Sequence, residues 1–183
     1  VKLECHTVDD CSHINLTEDL TWDENTSYLV KRAYARMQIL HKLSEYSIPI
    51  GDMVTIYVLY IRSICEQSST VWHSSLTQEN IEDLERVQKV ASKIILKDQY
   101  ESYDSALKKL GLEKLSDRRQ YLSLNFARKC TKHEIAQKMF PKKDQAAFYS
   151  TRTRDTYEVS SWNTDRLKRS AILYMQDLLN KYA

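Results

Sequence analysis

Glycine and proline are scarce in this sequence, which has two of each among its 183 residues. Average domains use about 7% glycine and about 5% proline. Phosphate-cradling loops and dinucleotide fingerprints need several glycines, because their backbone must approach the ligand closely. The scarcity therefore excludes both kinds of nucleotide site. It also favours long helices, since few residues interrupt them.

Long apolar runs are lacking as well. The longest candidate, MVTIYVLYI from Met53 to Ile61, ends at Arg62. A membrane span needs about 18–20 apolar residues. The first residues also lack the charged, apolar and small-residue succession of a secretory signal. We therefore expect no membrane contact, and we interpret the start at Val1 rather than methionine as the mark of a fragment or a processed product.

The four cysteines form no C-x-x-C motif and are too few for a disulfide framework, which favours a reducing intracellular setting, nuclear or cytoplasmic. The densest group of soft ligands lies near the N-terminus and consists of Cys5, His6, Cys11 and His13. Its spacing does not match ordinary zinc sites. We therefore expect no metal and no cofactor in this chain.

The formal net charge is only +2, but the charges are segregated along the chain. Residues 1–30 hold one lysine against seven acids, whereas residues 86–143 hold fifteen lysines and arginines against six acids. Segregation of this kind indicates a polyanionic partner more than the total charge does.

Apolar residues recur at helical spacing over most of the sequence. They predict a helix from Asp23 to about Tyr46 and a second from Met53 to about Cys65, with Asp52 as its cap and with apolar residues on nearly every side. The second helix is therefore expected to be buried at the centre. A strand at 55–60 is the alternative, because β-branched residues and tyrosine are frequent there.

A third helix is expected after Thr77, which is placed to cap it, and a short fourth one should end at Gly111. In the next helix, Leu115, Arg119, Leu122 and Phe126 fall on one line, so Phe126 is predicted to be a core residue.

The whole pattern predicts an all-α fold of about six helices in an irregular bundle, with a partly extended segment at about 142–166. The predicted division is an irregular segment at 1–15, a helical domain at 16–140, an extended linker at 141–166 and a C-terminal helix at 167–183.

Two motifs suggest catalysis at first sight. His73 is followed by Ser74 and Ser75, but neighbouring side chains point apart, and no glycine lies near enough for a nucleophile elbow. Asp9 and Asp10 resemble a polymerase metal pair, yet a third carboxylate and a hairpin to display the pair are not apparent. We therefore predict no catalytic residue, and we interpret the first motif as a structural corner.

Basic residues interleaved with aromatic ones are the third feature. Lysine and arginine neutralise phosphates without reading sequence, and exposed aromatic rings stack on bases. The alternative is an ordinary solvated helix face. The residues predicted to contact phosphates are Lys89, Lys93, Lys97, Arg118, Arg119, Arg128, Lys129 and Lys132.

The order of several segments resembles one protein family over about residues 16–181. These segments are TEDLTW, IYVLYIRSICEQSSTVWHSSLT, LERVQKVASKIIL, SYDSALKKLGLEKLSDRRQYLSLNFARKC and the tail YEVSSWNTDRLKRSAILYMQDLLN. They are similar to the C-terminal part of the reverse transcriptase of non-LTR (LINE-type, jockey-like) retrotransposons. In that family the region follows the polymerase palm and forms a thumb.

The resemblance implies a non-catalytic piece of an RNA-directed DNA polymerase that binds template–primer or element RNA through its backbone. The catalytic palm and its Mg²⁺ would belong to another part of the enzyme, so no activity is expected of this chain alone. RNA or an RNA–DNA duplex is the expected partner, and a small-molecule substrate is not expected. The alternative is a host-encoded retroelement relic that acts as a protein-interaction scaffold or has no function.

Overall fold

The computed structural model describes residues 14–15, 17, 21–46, 48–143, 156–159 and 161–182. Helices account for most of these residues, and no extended β-strand occurs among them, which confirms the predicted all-α fold. In chain order the α-helices are α1 Asp23–Ser44, α2 Ile50–Ile56, α3 Ser63–Glu66, α4 Ser69–Trp72, α5 Gln78–Leu96, α6 Tyr103–Leu110, α7 Leu115–Cys130, α8 Asp165–Lys168 and α9 Ala171–Lys181.

The chain divides into two compact units. The first unit comprises residues 1–69 and 76–118, and the second comprises residues 70–75 and 119–183. Helix α7 contributes to both, because its residues 115–118 belong to the first unit and its residues 119–130 to the second. The domain boundaries expected from the sequence remain a prediction.

In the first unit, α1 packs against α5 through one apolar face. The buried members of this face on α1 are Leu29, Ala33, Met37 and Leu40, which recur at intervals of three and four residues. Acidic Asp23 and Glu24 occupy the first turn of α1 and His41 and Lys42 the last, an arrangement that the helix dipole favours.

The second predicted helix begins earlier than expected and is less buried. Pro49 precedes α2 with a φ of −57°, so the helix starts at Ile50 and Asp52 lies inside the first turn; the prediction that Asp52 caps the helix was wrong. A π-helical segment, Tyr57–Arg62, joins α2 to α3. Met53 and Tyr57 are buried, but Leu59 is 62% exposed, so one side of this element faces solvent.

Local signals fix the limits of α5 and α6. The Thr77 side chain accepts a hydrogen bond from the Asn80 amide at the start of α5, as predicted. Gly111 ends α6 in the left-handed conformation, with φ 63° and ψ 34°, which also agrees with the prediction.

A buried hydrogen-bond network centres on Gln88, which is 0% exposed. Its Oε1 accepts from the Tyr57 hydroxyl at 2.8 Å, while its Nε2 donates to the Tyr103 hydroxyl at 2.9 Å and to the Glu113 carbonyl at 2.8 Å. One turn earlier, Glu85 accepts from the Tyr103 hydroxyl at 2.6 Å and from the Ser116 amide at 2.7 Å. Two residues of α5 thus hold the start of α7.

The protonation states within this network follow from burial. Burial, followed by the contact with Glu85, raises the pKa of Tyr103 far above its usual value. Burial likewise raises the pKa of Tyr57. Both hydroxyls are therefore protonated at neutral pH and donate to the side chains of Gln88 and Glu85.

The second unit has its own apolar core, formed by α7 and α9 with the segment before residue 141. Its buried members are Leu124, Ala127, Phe140, Met175, Leu178 and Leu179. A 3₁₀ turn at Ala136–Met139 precedes Phe140, and the Met139 carbonyl accepts a hydrogen bond from Gln176 of α9 at 2.8 Å. The core therefore fixes the face that α7 turns inward in this unit.

Phe126 does not belong to this core, so the sequence prediction for it was wrong. Its side chain is 46% exposed, whereas Ala127 beside it is fully buried. The inward face of α7 follows Leu115, Arg119, Ser123 and Ala127 at intervals of four rather than the predicted line through Leu122 and Phe126. Phe126 and Ala127 are adjacent, so their side chains point about 100° apart around the helix axis.

The segment predicted to be extended at 142–166 is only partly described. Lys142 and Tyr157 form an isolated antiparallel bridge, and the Lys143 amide donates to the Thr156 carbonyl at 3.1 Å. Near its end the segment is helical: Thr164 caps the short helix α8 by accepting from the Leu167 amide. The last helix therefore consists of two pieces, α8 and α9. Residues 144–155, and almost all of the irregular segment at 1–15, lie outside the described residues.

Replacement of Gln88 by leucine tests the network. The apolar side chain leaves the Tyr57 hydroxyl and the Glu113 carbonyl buried without this partner, and each such loss costs about 1–3 kcal/mol. We expect Gln88→Leu to lower the free energy of unfolding by about 3 kcal/mol in urea denaturation. The control Gln78→Leu, on the exposed end of the same helix, should change it by less than about 1 kcal/mol. Equal effects of the two variants would contradict a structural role for the network.

Candidate nucleic-acid interface

The eight basic residues predicted to contact phosphates fall into both units. The four in the first unit are Lys89, Lys93, Lys97 and Arg118, and the four in the second are Arg119, Arg128, Lys129 and Lys132.

Lys89 and Lys93 are exposed on the outer face of α5, one turn apart. The Lys93 ammonium lies 5.4 Å from the centre of the Tyr100 ring, a cation–π distance. Arg86, on the same side of the helix, forms an ion pair with Asp83 at 2.7 Å. This face therefore carries two exposed lysines, but the turn before them already contains acids.

Lys97 lies beyond the end of α5 and serves a local role. Its backbone has φ 47° and ψ −120°, which ends the helix, and its ammonium donates a hydrogen bond to the Ser44 carbonyl at the end of α1. Lys97 also lines a cleft of about 250 Å³ in the first unit, whose walls include Ile48, Met53 and Ile95.

Arg118 is already paired within the first unit. Its Nε lies 2.5 Å from Oε1 of Glu66, and Arg62 of the π-helical segment approaches the same oxygen at 3.5 Å. The carboxylate is thus shared by two guanidinium groups. A phosphate would have to replace this partner to bind Arg118, so the structure gives Arg118 a tertiary role in joining α3 to α7.

Arg119 is not on a surface, and the prediction that it lies on a basic outer face was wrong. Its side chain is 0% exposed. The guanidinium lies 5.8 Å from the centre of the Trp72 ring, and its Nε donates to Nδ1 of His73 at 3.4 Å. The residue is buried because α7 turns this position inward, in line with Leu115 and Ala127.

Arg128, Lys129 and Lys132 are exposed and lie near the C-terminal end of α7. Tyr121 precedes Arg128 by seven residues, or two helical turns, and its side chain is 54% exposed. We call these four residues the α7 ridge. No acidic residue occurs between Asp117 and Glu134, and within the described part of the chain none of the three cations forms an ion pair. The ridge is thus a cationic face without internal neutralisation.

Arg128 also fixes the C-terminal end of α9 beside the ridge. Its Nη2 donates to the Tyr182 carbonyl at 3.1 Å, a group that the helix itself leaves without a partner. The Lys181 ammonium lies 5.3 Å from the centre of the Tyr182 ring, which adds a further cation to this side of the unit. Sequence reasoning missed Lys181 and Tyr182, because their approach to α7 is a tertiary contact.

The corner around His73 is held by contacts within the second unit. His73–Ser75 forms a 3₁₀ turn, and the His73 ring meets Tyr174 edge-on, with 6.0 Å between the ring centres. The Ser75 hydroxyl donates to the Arg169 carbonyl at 2.7 Å. Since Nδ1 of His73 accepts from Arg119, that nitrogen faces the guanidinium rather than either serine hydroxyl.

Within the described residues, no group of three or more histidine, cysteine or acidic side chains is placed to hold a metal ion. In the same part of the chain no helix has the length and apolar character required to cross a membrane. The N-terminal Cys5, His6, Cys11 and His13, and the aspartates at 9 and 10, lie outside the described residues.

Comparison with known proteins leaves the chain without an assigned family: no protein-family model, curated protein or solved structure matches it. The resemblance to the thumb region of non-LTR reverse transcriptases therefore remains a prediction from the sequence.

The partly buried imidazole of His73 makes stability depend on pH. Burial, together with the nearby Arg119 guanidinium, lowers the pKa of His73 from 6.5 to about 4. The unfolded chain therefore binds the proton first, and the stability contributed by the neutral ring is lost as the pH falls from about 6.5 towards 4. We expect the free energy of unfolding of the natural chain, relative to that of His73→Gln, to fall by about 3 kcal/mol between pH 7 and pH 4.

Urea denaturation at a series of pH values measures this difference. Gln can accept the Arg119 hydrogen bond but does not titrate, so its profile retains only the contributions of the other groups. His41→Gln, at an exposed position of α1, serves as the control and should follow the natural chain. Parallel profiles for the natural chain and His73→Gln would contradict the assignment of a neutral, partly buried imidazole.

Proposed function

We propose that this chain is a non-catalytic nucleic-acid-binding element that holds RNA or an RNA–DNA duplex through the sugar–phosphate backbone. The observation that carries the proposal is the α7 ridge, where Arg128 and Lys129 of α7 and Lys132 just beyond its end are exposed, with no acidic residue between Asp117 and Glu134. Lys89 and Lys93 on α5 provide a second, smaller set of exposed cations.

The physical basis is the release of counterions. A nucleic acid carries a condensed layer of cations, and each lysine or arginine that neutralises a phosphate releases some of them. The resulting affinity depends steeply on salt and little on base sequence. An exposed cation that lacks an internal ion pair contributes most, because no protein carboxylate has to be displaced. The cations of the α7 ridge are therefore better candidates than Arg118, which is paired with Glu66. Arg119 is no candidate, because it is buried.

The biological setting follows from the sequence resemblance. A thumb-like element grips the template–product duplex beside a polymerase palm, so this chain would support RNA-directed DNA synthesis only together with a palm that also holds the Mg²⁺. A proposed nuclear or cytoplasmic location accords with this role.

A second candidate function is that of a protein-interaction scaffold derived from a retroelement. The observation that favours it is the outer side of the π-helical segment, where Leu59 is 62% and Tyr60 is 51% exposed. Arg36 reaches across from α1 and donates to the Tyr60 carbonyl at 3.4 Å, so this side carries both apolar area and a cation. Such exposed apolar residues are common at sites of protein contact.

Charge reversal on the ridge tests the proposed function. We expect the triple variant Arg128→Glu, Lys129→Glu, Lys132→Glu to bind an RNA–DNA duplex at least about tenfold more weakly at low salt. The plot of log affinity against log salt should become less steep by about 2 to 3 units, because each lost duplex contact removes about 0.9. Fluorescence anisotropy of a labelled duplex at several salt concentrations measures both quantities.

The matched control reverses three exposed lysines of the first unit that lie off both cationic sets, as Lys31→Glu, Lys42→Glu and Lys108→Glu. The two triple variants have the same net charge, so a general electrostatic effect would weaken both equally. A larger loss for the ridge variant supports the proposed interface. Equal losses, or no binding by the natural chain at low salt, would refute it.

A further inference from the structure

Two exposed aromatic rings lie beside the cations of the second unit. Tyr121 is 54% and Tyr182 is 46% exposed. An exposed aromatic ring contributes less to stability than a buried one, because much of its apolar surface remains in contact with water. Rings in such positions provide flat apolar surfaces for a ligand that itself has a flat face.

Tyr182 is held in place at both of its ends. Its hydroxyl accepts a hydrogen bond from Nε2 of Gln120 at 3.4 Å, and its carbonyl accepts from Arg128 at 3.1 Å. These two partners are eight residues apart on α7, so Tyr182 lies along about two turns of that helix. Lys181 stands 5.3 Å from the ring centre, which supplies positive charge next to the aromatic face.

Tyr121 is the neighbour of Gln120 on α7, so it lies at the same level of the helix as the residue that binds the Tyr182 hydroxyl, about 100° further around the axis. It shares a helix face with Arg128, seven residues further on, and Lys132 follows in the turn just after the helix ends at Cys130. The α7 ridge therefore has an aromatic end at Tyr121 and a cationic end at 128–132, separated by about 10 Å along the helix axis.

We infer that the second unit binds a single-stranded segment of nucleic acid, whose bases stack on Tyr121 and Tyr182 while its phosphates contact Arg128, Lys129 and Lys132. The inference rests on the proposed function and names the form of nucleic acid that this surface fits. A duplex keeps its base faces stacked inside the helix, whereas a single strand presents them to aromatic side chains. Cations alone would bind a duplex as well as a single strand. The two exposed rings therefore favour the single strand over the duplex.

The test compares a labelled 12-nucleotide RNA with the same RNA annealed to its DNA complement, using the full chain. Tyr121→Leu removes the ring and keeps an apolar side chain, while Tyr121→Phe keeps the ring. We expect Tyr121→Leu to bind the single strand about tenfold more weakly and the duplex unchanged, because stacking on one aromatic ring accounts for about that factor. Tyr121→Phe should match the natural chain.

Tyr46→Leu, at a position in the first unit that is 68% exposed, is the matched control and should bind both probes as the natural chain does. Tyr182→Leu provides a second ring variant with the same expected loss on the single strand. Circular dichroism establishes that each variant is folded before its affinity is interpreted.

The outcomes separate the two proposals. The stacking inference is overturned if Tyr121→Leu and Tyr182→Leu both bind the single strand as tightly as the natural chain does. If charge reversal of the ridge still abolishes binding, the proposed function stands. An equal loss on single strand and duplex also overturns the stacking inference, since that result assigns the rings no role specific to unpaired bases. If the natural chain binds neither probe at low salt, both proposals fail.

Discussion

The hydrogen-bond network around Gln88 is the constraint on which the placement of α7 depends. Gln88 and Glu85, one turn apart on α5, bind the Glu113 carbonyl and the Ser116 amide, so the start of α7 is fixed by two polar side chains. Because the side-chain amide of Gln88 is buried, the loss of one hydrogen-bond partner would leave a buried polar atom unpaired and lower the stability. Apolar packing alone would tolerate small rotations of α7, whereas directional hydrogen bonds do not. The network thereby fixes the start of α7 within the first unit, while the apolar core of the second unit fixes the face that α7 turns inward there.

The orientation of α7 determines which of its basic residues are paired or buried within the protein and which are exposed. Arg118 joins Glu66, and Arg119 is buried against Trp72 and His73, so both serve the fold. Arg128 and Lys129 are exposed near the other end of the same helix. The basic residues of one helix thus divide between structural positions at its start and surface positions near its end, and only the exposed ones remain available to a phosphate.

Much of the local structure was predictable from the sequence, because single residues determine it: Thr77 caps α5, and Gly111 ends α6 in a conformation that glycine adopts without strain. The orientation of α7 was not predictable in this way. Its apolar residues fit two neighbouring faces, and residues distant in the sequence decide which of them turns inward. Phe126 was predicted to be buried for this reason, whereas Arg119, on the same predicted line, was predicted to contact phosphates because of its charge. The exposure of Arg128, Lys129 and Lys132 was predictable from charge and periodicity, whereas the approach of Tyr182 and Lys181 to α7 is visible only in the fold.

The most direct test of the account is an NMR titration of the isotopically labelled full chain with a short RNA at low salt. The account predicts that the perturbed backbone amides and side chains cluster at Tyr121–Lys132 and at Lys181 and Tyr182, and that they return to their free positions as salt is added. Perturbations confined to Leu59, Tyr60 and their neighbours, or none at any salt concentration, would contradict it.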